Sequence, residues 1–322
     1  MKTNIMFLRL TGILALVSIS LWGCASSGQQ FGAGKEYKTF LKHKQQLMEL
    51  QQDQKAAVPD SDKGLKEELK MSPEKLERLG DLAFGRDNFA MAFVNYEKSL
   101  KLNPDNTGVR YKMGLLFVAG GLQKDAIKAF EEVLERKPDH ALAHEGLGRA
   151  FLQIKKYDRA ENHFLRAIDG DPDLWRAHAL LGIVYDCKKN HEMAIRKHTA
   201  AVLLRPSEGL LYHNLGVSYA MAGQYEKAVN AFLKALGTGF STEKVYNNLG
   251  IAFAKLGKTQ SALNAFTKGG NYAQAYNNLG WVYLNEGDVD KAVKCFEEAI
   301  AVSPAFYENA NENLRKAKLT AS

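Results

Sequence analysis

The sequence predicts an all-α protein made of repeated two-helix hairpins, and three observations lead to this prediction. Glycines recur every 34 residues at positions 80, 114, 148, 182, 216 and 250, and Gly280 follows after a shorter step of 30. An alanine stands twelve positions after each of these seven glycines, from Ala92 to Ala292. The 322 residues include 27 glycines and only 7 prolines, which favours helices joined by tight turns over a β-sandwich. A repeat of this period is typical of a solenoid.

Each unit of the repeat contains two amphipathic helices, A and B. In helix A, a Leu or Met precedes the glycine, and a mostly aromatic residue follows the glycine by three positions, which puts both on one stripe. In helix B, the alanine and a residue four positions later share another stripe, as Ala126 and Phe130 do. Glycine and alanine remove bulk where the helices cross. Because one hairpin cannot bury both of its faces, neighbouring hairpins must stack.

The first 23 residues predict a cleaved secretory signal. Lys2 and Arg9 precede an apolar run that is shorter than the roughly 20 residues needed to span a bilayer. The ending Leu21-Trp22-Gly23-Cys24 resembles the lipobox of bacterial lipoprotein precursors, which implies cleavage before Cys24 and acylation of that residue. The alternative is an ordinary secretory signal that contains a cysteine. Ala25 after the cysteine resembles outer-membrane sorting, so we expect a lipid-anchored protein of the bacterial envelope, facing the periplasm.

Residues 24–34 read as a flexible tether and residues 35–72 as a helical or linker segment. The stretch 35–56 predicts a short amphipathic helix, because its apolar residues recur at helical spacing: Tyr37, Phe40, Leu41, Leu47 and Met48. Its lysines suit either anionic lipid or plain solvation. Ser72-Pro73 predicts the N-cap and first residue of the first repeat helix.

The repeated residues resemble the tetratricopeptide repeat, whose pattern is W-x-x-L-G-x-x-Y, then A-x-x-x-F, then P. The resemblance covers nearly three-quarters of the chain. It implies a right-handed α-solenoid of about seven units: 73–106, 107–140, 141–174, 175–208, 209–242, 243–272 and 273–306. The polar stretch 307–322 is expected to form a capping helix and tail.

Two units depart from the pattern. In the fifth unit Phe240 replaces the proline, and the sixth unit is four residues short, with KGGN at 268–271. We therefore expect a local change of superhelical twist around residues 236–273.

The sequence predicts no metal site, no cofactor and no enzyme activity. His144 and His178 fill the slot of the pattern's tryptophan and His198 an aromatic slot, so we expect them to be structural. No G-x-S-x-G motif is present. Cys187 and Cys295 form no C-x-x-C pair and are expected to be packing residues, not a disulfide.

Nucleotide and nucleic-acid binding are not predicted either. Gly257-Lys258-Thr259 resembles the end of a phosphate loop, but Ala252 stands where the first glycine of that motif is required. Removing Lys2 and Arg9 with the signal lowers the net charge from +7 to +5. This charge is spread along the chain, whereas nucleic-acid binding requires a concentrated basic face.

Resemblance to the tetratricopeptide family implies a concave surface lined by positions 2, 5, 6, 9, 12 and 13 of helix A. In the first unit these positions include Glu74, Glu77 and Asp81, an acidic mouth. In later units they hold apolar residues, which favour a hydrophobic peptide or an amphipathic helix as ligand. The alternative is that superhelical winding buries these residues against neighbouring A helices. The residues are Tyr111, Leu115, Val118, Leu142, Leu152, Ile183, Leu210, Val217, Ile251, Trp281 and Leu284.

Polar residues complete the predicted groove. Asn214, Asn248 and Asn278 recur in one slot, beside His213, Asn247 and Asn277 in the preceding position. Side-chain amides both donate and accept hydrogen bonds, so they suit the backbone of an extended peptide, and a purely local role is the alternative. Three basic residues also project towards the groove: Arg149, Arg176 and Lys244.

Together these features predict a non-enzymatic, lipid-anchored scaffold that binds envelope proteins. A lipid anchor joined to a repeat array resembles two bacterial groups. One is the type IV pilus pilotin lipoproteins, which help the outer-membrane secretin assemble. The other is the lipoprotein adaptors that gather peptidoglycan hydrolases and proteases. The apolar groove favours the first group.

Overall fold

The computed structural model describes residues 71–303 and 308–320, which form fifteen α-helices and no strand. The predicted signal at 1–23, Cys24, the tether at 24–34, nearly all of 35–72 and Pro304 lie outside the described residues. The helices are α1 (Pro73–Phe84), α2 (Phe89–Leu102), α3 (Thr107–Ala119), α4 (Gln123–Arg136), α5 (Ala141–Gln153), α6 (Tyr157–Gly170), α7 (Trp175–Cys187), α8 (His191–Leu204), α9 (Gly209–Met221), α10 (Tyr225–Gly237), α11 (Glu243–Lys255), α12 (Thr259–Gly269), α13 (Tyr272–Asn285), α14 (Val289–Ala301) and α15 (Glu308–Thr320).

Every helix packs against the next one along the chain, which makes seven stacked hairpins followed by α15. From α3 onward, each odd-numbered helix also contacts the next odd-numbered helix. The odd-numbered helices from α1 to α13 are the predicted A helices, so they form the inner layer of the stack. The arrangement confirms the predicted all-α tetratricopeptide solenoid.

The glycine of each unit lets helix B approach helix A. A Cβ placed at Gly216 would lie 2.6 Å from the Phe232 ring, and one at Gly182 would lie 2.6 Å from the imidazole of His198. Both ring side chains are almost completely buried. His198 therefore fills the same space as the aromatic residues of the other hairpins.

The stretch that resembles a phosphate loop is the turn between α11 and α12. Gly257 has a φ of 70°, and the glycines in the same slot of three other units also have positive φ. Where that slot holds Asp87, Lys155 or Lys189, the backbone is again left-handed. The repeat thus requires this conformation at one position, and glycine adopts it without steric cost.

Residues 236–273, which depart from the repeat pattern, contain a loop without the usual proline and a short helix. Helix α10 ends at Gly237, and Gly239 takes a φ of 87° in the following loop. Phe240, which replaces the proline, packs on His213 with ring centroids 6.1 Å apart. Helix α12 has 11 residues, and a capping box of Asn271 with Gln274 starts α13. The change of superhelical twist expected here stays a prediction.

Helix α15 lies against α13 and α14 at the end of the solenoid, where a capping helix was predicted. Its Ala310 and Ala317 are fully buried and its Leu314 packs on the last core cluster. Cys295 is a free thiol whose pKa is raised to about 11 by burial. Cys187 is the last residue of α7 and is half-buried, and its predicted packing role stays a prediction.

Candidate partner-binding surface

The inner surface buries part of the predicted apolar groove. Four of the predicted residues are at most 5% exposed: Val118, Leu152, Val217 and Ile251. Five more are half-buried: Tyr111, Leu115, Ile183, Trp281 and Leu284. Only Leu142 and Leu210 are exposed, at 40% and 42%. A continuous apolar groove is therefore not open along the described solenoid.

Contacts between successive hairpins explain this burial. Val118 and Leu152 belong to one core cluster, and Tyr111, Leu115 and Ile183 pack against it. In the last two units, Trp281 and Leu284 pack in the same way against the cluster that contains Ile251. These contacts support the interpretation in which superhelical winding covers much of the apolar stripe.

One row of predicted groove residues remains exposed across four consecutive units. Position 2 of helices α5, α7, α9 and α11 holds, in order, Leu142, Arg176, Leu210 and Lys244, and all four are exposed. We call these four residues the rim row. The guanidinium of Arg176 lies 4.9 Å from the ring centroid of Trp175, which orients it. The rim row thus alternates apolar and basic side chains along the N-terminal ends of the A helices.

A charged cluster lies beside the rim row in the third and fourth units. Glu145 is only 6% exposed, and this burial raises the pKa of its carboxyl while Arg149 and Arg176 oppose the rise. Burial, together with the charge of Glu145, also raises the pKa of Tyr111, and the Tyr111 ring stacks on His140 at 5.6 Å. Glu145 was not predicted from the sequence, although it stands at position 5 of its unit, which is one of the groove positions.

The acidic residues of the first unit mostly make hydrogen bonds within the solenoid. Lys112 in α3 donates to Glu77 at 2.6 Å and to Asp81 at 2.7 Å. The hydroxyl of Tyr96 also donates to Asp81 at 2.8 Å, and burial is the main reason that the pKa of this tyrosine is raised. These bonds neutralise much of the negative charge that the sequence predicted to face a partner.

Two of the predicted asparagines also make hydrogen bonds to other helices. Asn248 donates to Nε2 of His213 at 3.1 Å, and burial lowers the pKa of His213 to about 4. Asn313 of α15 donates to Oδ1 of Asn277 at 2.9 Å. Asn247 reaches only Glu243 of its own helix, at 3.4 Å. These bonds favour the local role for Asn247, Asn248 and Asn277, whereas the half-buried Asn214 and Asn278 remain candidate ligand contacts.

A buried polar network joins the fourth and fifth units around Asp186, which is 2% exposed. Ser218 donates to Oδ2 of Asp186 at 2.5 Å, and Nδ1 of His191 lies 2.9 Å from Oδ1. Nε2 of His198 is 3.5 Å from Oδ2. Ser218 and His198 are at most 1% exposed, so a substrate has no access to them. The network fastens α7, α8 and α9 together.

Histidines of the third unit are paired in a similar manner. Nδ1 of His144 lies 3.0 Å from Nδ1 of His163, and Nε2 of His144 is 2.9 Å from the carbonyl of Pro138. Burial is the main reason that the pKa of His163 is lowered to about 4.

Within 71–303 and 308–320, no group of three or more metal-ligating side chains is placed to hold an ion. None of the helices in these ranges is long and apolar enough to cross a bilayer.

Comparison with known proteins identifies the repeat. Three tetratricopeptide-repeat family models match residues 111–174, 209–236 and 273–306. No curated protein sequence matches the chain. The matching families are repeats of generally non-enzymatic scaffolds, and none of them is a catalytic family.

The chain is similar to several solved structures. PilW, a widely conserved type IV pilus biogenesis factor, is 18% identical, with 60% of this chain and 90% of that chain covered and a TM-score of 0.56. A tetratricopeptide-repeat protein from Parabacteroides merdae is 15% identical, with coverage of 76% and 98% and a TM-score of 0.53. The MamA structure is 29% identical over 50% of this chain and 94% of that chain, with a TM-score of 0.46.

Proposed function

The chain is a tetratricopeptide-repeat protein, a scaffold for protein–protein interaction, and we propose that its rim row holds a segment of a bacterial envelope protein. The observation that carries this proposal is the exposure of the rim row beside a stripe that the solenoid has already buried. A protein in solution gains by covering apolar side chains such as Leu142 and Leu210.

The chemistry of the rim row defines the partner segment. Two leucines alternate with two cations, so a matching segment presents apolar side chains alternating with carboxylates. Arg176 suits a carboxylate because its planar guanidinium offers two parallel donors. An extended or helical segment can present this pattern along four units, since both expose side chains at regular intervals.

We further propose that Cys24 anchors the scaffold in the outer membrane, facing the periplasm. The support is the lipobox-like sequence at 21–24 and the polar stretch that follows it. Cys24→Ser should release the protein from membranes, and the mass of the N-terminal peptide should show a diacylglyceryl thioether in the wild type. Retention of the variant, or a non-reduced peptide mass that shows a disulfide at Cys24, would contradict the anchor.

For the partner, we propose the secretin of a type IV pilus, on the combination of lipobox and repeat array. The test is affinity capture from detergent-solubilised envelopes followed by mass spectrometry, with wild type and the double variant Leu142→Asp, Leu210→Asp. Enrichment of a secretin by the wild type alone supports the proposal. Enrichment of peptidoglycan hydrolases or proteases would replace it with the adaptor role.

A matched control distinguishes a specific effect of the rim row from the effect of changing any exposed leucine. Leu203 lies on the B helix α8 and is 76% exposed, so Leu203→Asp should capture as the wild type does. Equal capture by the Leu142→Asp, Leu210→Asp variant would show that the partner binds elsewhere. Capture of neither class by the wild type would count against both envelope roles.

A further inference from the structure

Helix α1 has an exposed face, and the same face is buried in every later A helix. Positions 3, 7 and 10 of a unit form this face. In α3 they are Val109, Met113 and Leu116, which are 0%, 8% and 0% exposed. In α1 the exposed Lys75 occupies position 3, while Leu79 and Leu82 are 37% and 58% exposed.

The same face is buried in the other five units because the B helix of the preceding unit packs on it. None of its residues there is more than 8% exposed: Ala143, Leu147, Ala150, Ala177, Leu181, Val184, Leu211, Leu215, Ser218, Val245, Leu249, Ala252, Ala275, Leu279 and Val282. Helix α1 has no preceding B helix within the described residues, so its leucines face outward. The register of the repeat thus marks the place where one more helix fits.

The opposite end of the solenoid shows how the chain closes such an end. Helix α15 lies on the last B helix, α14, and buries Ala310 and Ala317 completely. The closing helix is therefore a segment of this same chain that lies outside the repeats. The end formed by α1 has a long segment of chain before it as well, residues 1–72.

We propose that residues 35–56 cover the exposed face of α1 as an N-terminal capping helix. This stretch carries the apolar stripe that includes Phe40, Leu41 and Leu47 at helical spacing. The stripe supplies to Leu79 and Leu82 the apolar contacts that the preceding B helix supplies elsewhere. The inference concerns the chain itself and holds whether or not Cys24 carries a lipid.

The connection between the two elements is long enough. Sixteen residues, 57–72, separate this stretch from α1 in the sequence, whereas only four residues, 103–106, join α2 to α3. Fully extended, 16 residues span about 50 Å, while the 12 residues of α1 rise about 18 Å. The segment can therefore lie antiparallel to α1, as each B helix lies beside the next A helix.

An antiparallel arrangement also matches the charges. Glu49 and Asp53 stand towards the end of the segment in the sequence, and an antiparallel arrangement would bring that end to Lys75 and Arg78 near the start of α1. A second copy of the chain could offer the same stripe. However, a segment tethered by a short linker has an effective concentration in the millimolar range, so the intramolecular contact forms first.

Hydrogen exchange of the full-length chain in detergent micelles tests the proposal. In the wild type, amides of 35–56 should exchange at least about tenfold more slowly than an unstructured peptide. Leu79→Asp with Leu82→Asp should remove this protection and leave residues 107–320 unchanged. Unprotected amides in the wild type, or protection that survives in this variant, would overturn the proposal.

A second variant, with substitutions in the segment itself, controls for a direct effect of the leucine substitutions on α1. Phe40→Asp with Leu41→Asp alters only the segment, and it should speed exchange in α1 as well as in 35–56. The matched control Leu203→Asp should change neither region. If the protein is a dimer whose protection at 35–56 falls on dilution, a second copy covers the face and the intramolecular cap is wrong.

Discussion

In the two halves of the solenoid, different kinds of hydrogen bond join neighbouring units along the inner surface. In the first half Lys112 of the second unit binds Glu77 and Asp81 of the first through charged hydrogen bonds. In the second half the amide of Asn248 binds the imidazole of His213, which burial keeps neutral at pH 7. One half uses ions that salt screens, and the other uses neutral groups that acid disturbs.

The shared feature is the pair of slots that make these bonds. Glu77 and His213 stand at position 5 of their units, and Lys112 and Asn248 stand at position 6 of the following units. Position 5 of one unit and position 6 of the next thus join neighbouring repeats in both halves. The rim row stands at position 2 of the third to sixth units, where all four side chains are exposed.

The largest predicted effect separates buried from exposed apolar residues of this surface. Leu152 is 5% exposed and packs in the core cluster of the first half, so Leu152→Asp should lower the unfolding free energy by at least about 3 kcal/mol. Leu142→Asp, at an exposed position, should change it by less than about 0.5 kcal/mol. Urea unfolding followed by circular dichroism measures both, and equal midpoints would show that Leu152 is not core.

The sequence predicted the hairpins well because glycine, alanine and aromatic slots act within one unit. The pairs Gly216–Phe232 and Gly182–His198 meet as their spacing indicates. The openness of the groove was harder to predict, since the burial of Leu152 depends on how closely successive units wind together. Likewise, the sequence does not show that Asn277 is bonded within the fold. Its partner, Asn313, lies 36 residues away in a helix outside the repeat pattern.

Acid should destabilise the second half through His213. Its pKa is about 4 in the folded chain against about 6.5 unfolded, so the unfolded chain binds the proton first. The stability that neutral His213 contributes is complete above pH 6.5 and is lost as the pH falls from 6.5 to 4, by about 1 to 3 kcal/mol.

The control is His213→Gln, which has no titrating group at this position. The wild type should lose more unfolding free energy between pH 6.5 and pH 4 than this variant does. His163 titrates in the same range in both proteins, so only the difference between them reports His213. A variant with the same pH profile as the wild type would contradict the assignment.

A smaller effect should follow from the bond that holds the C-terminal cap. Asn313→Ala removes the donor to Asn277 and should cost about 1 kcal/mol, felt mainly in α15. Hydrogen exchange should then be faster in residues 308–320 and unchanged in α3–α8. Asn309→Ala, at an exposed position of the same helix, is the control. Equal exchange in the two variants would mean that the bond does not hold the cap.

The smallest effect should appear in the first half. Lys112→Met removes both charged bonds, but Lys112 is partly exposed, so the loss should stay near or below about 1 kcal/mol. Raising the salt concentration should reduce the difference between variant and wild type, because screening weakens the wild-type pairs. A difference in unfolding midpoint that does not depend on salt would show that packing of the lysine stem matters more than its charge.

Site-specific photocrosslinking in intact cells tests most directly whether the rim row is the partner-binding surface. A photoreactive amino acid is placed at Leu142 or Leu210 in the row, and at Leu203 on α8 as the control. We expect a crosslinked product of one defined mass from both rim positions, and no such product from position 203. The same product from position 203, or no product from either rim position, would contradict it.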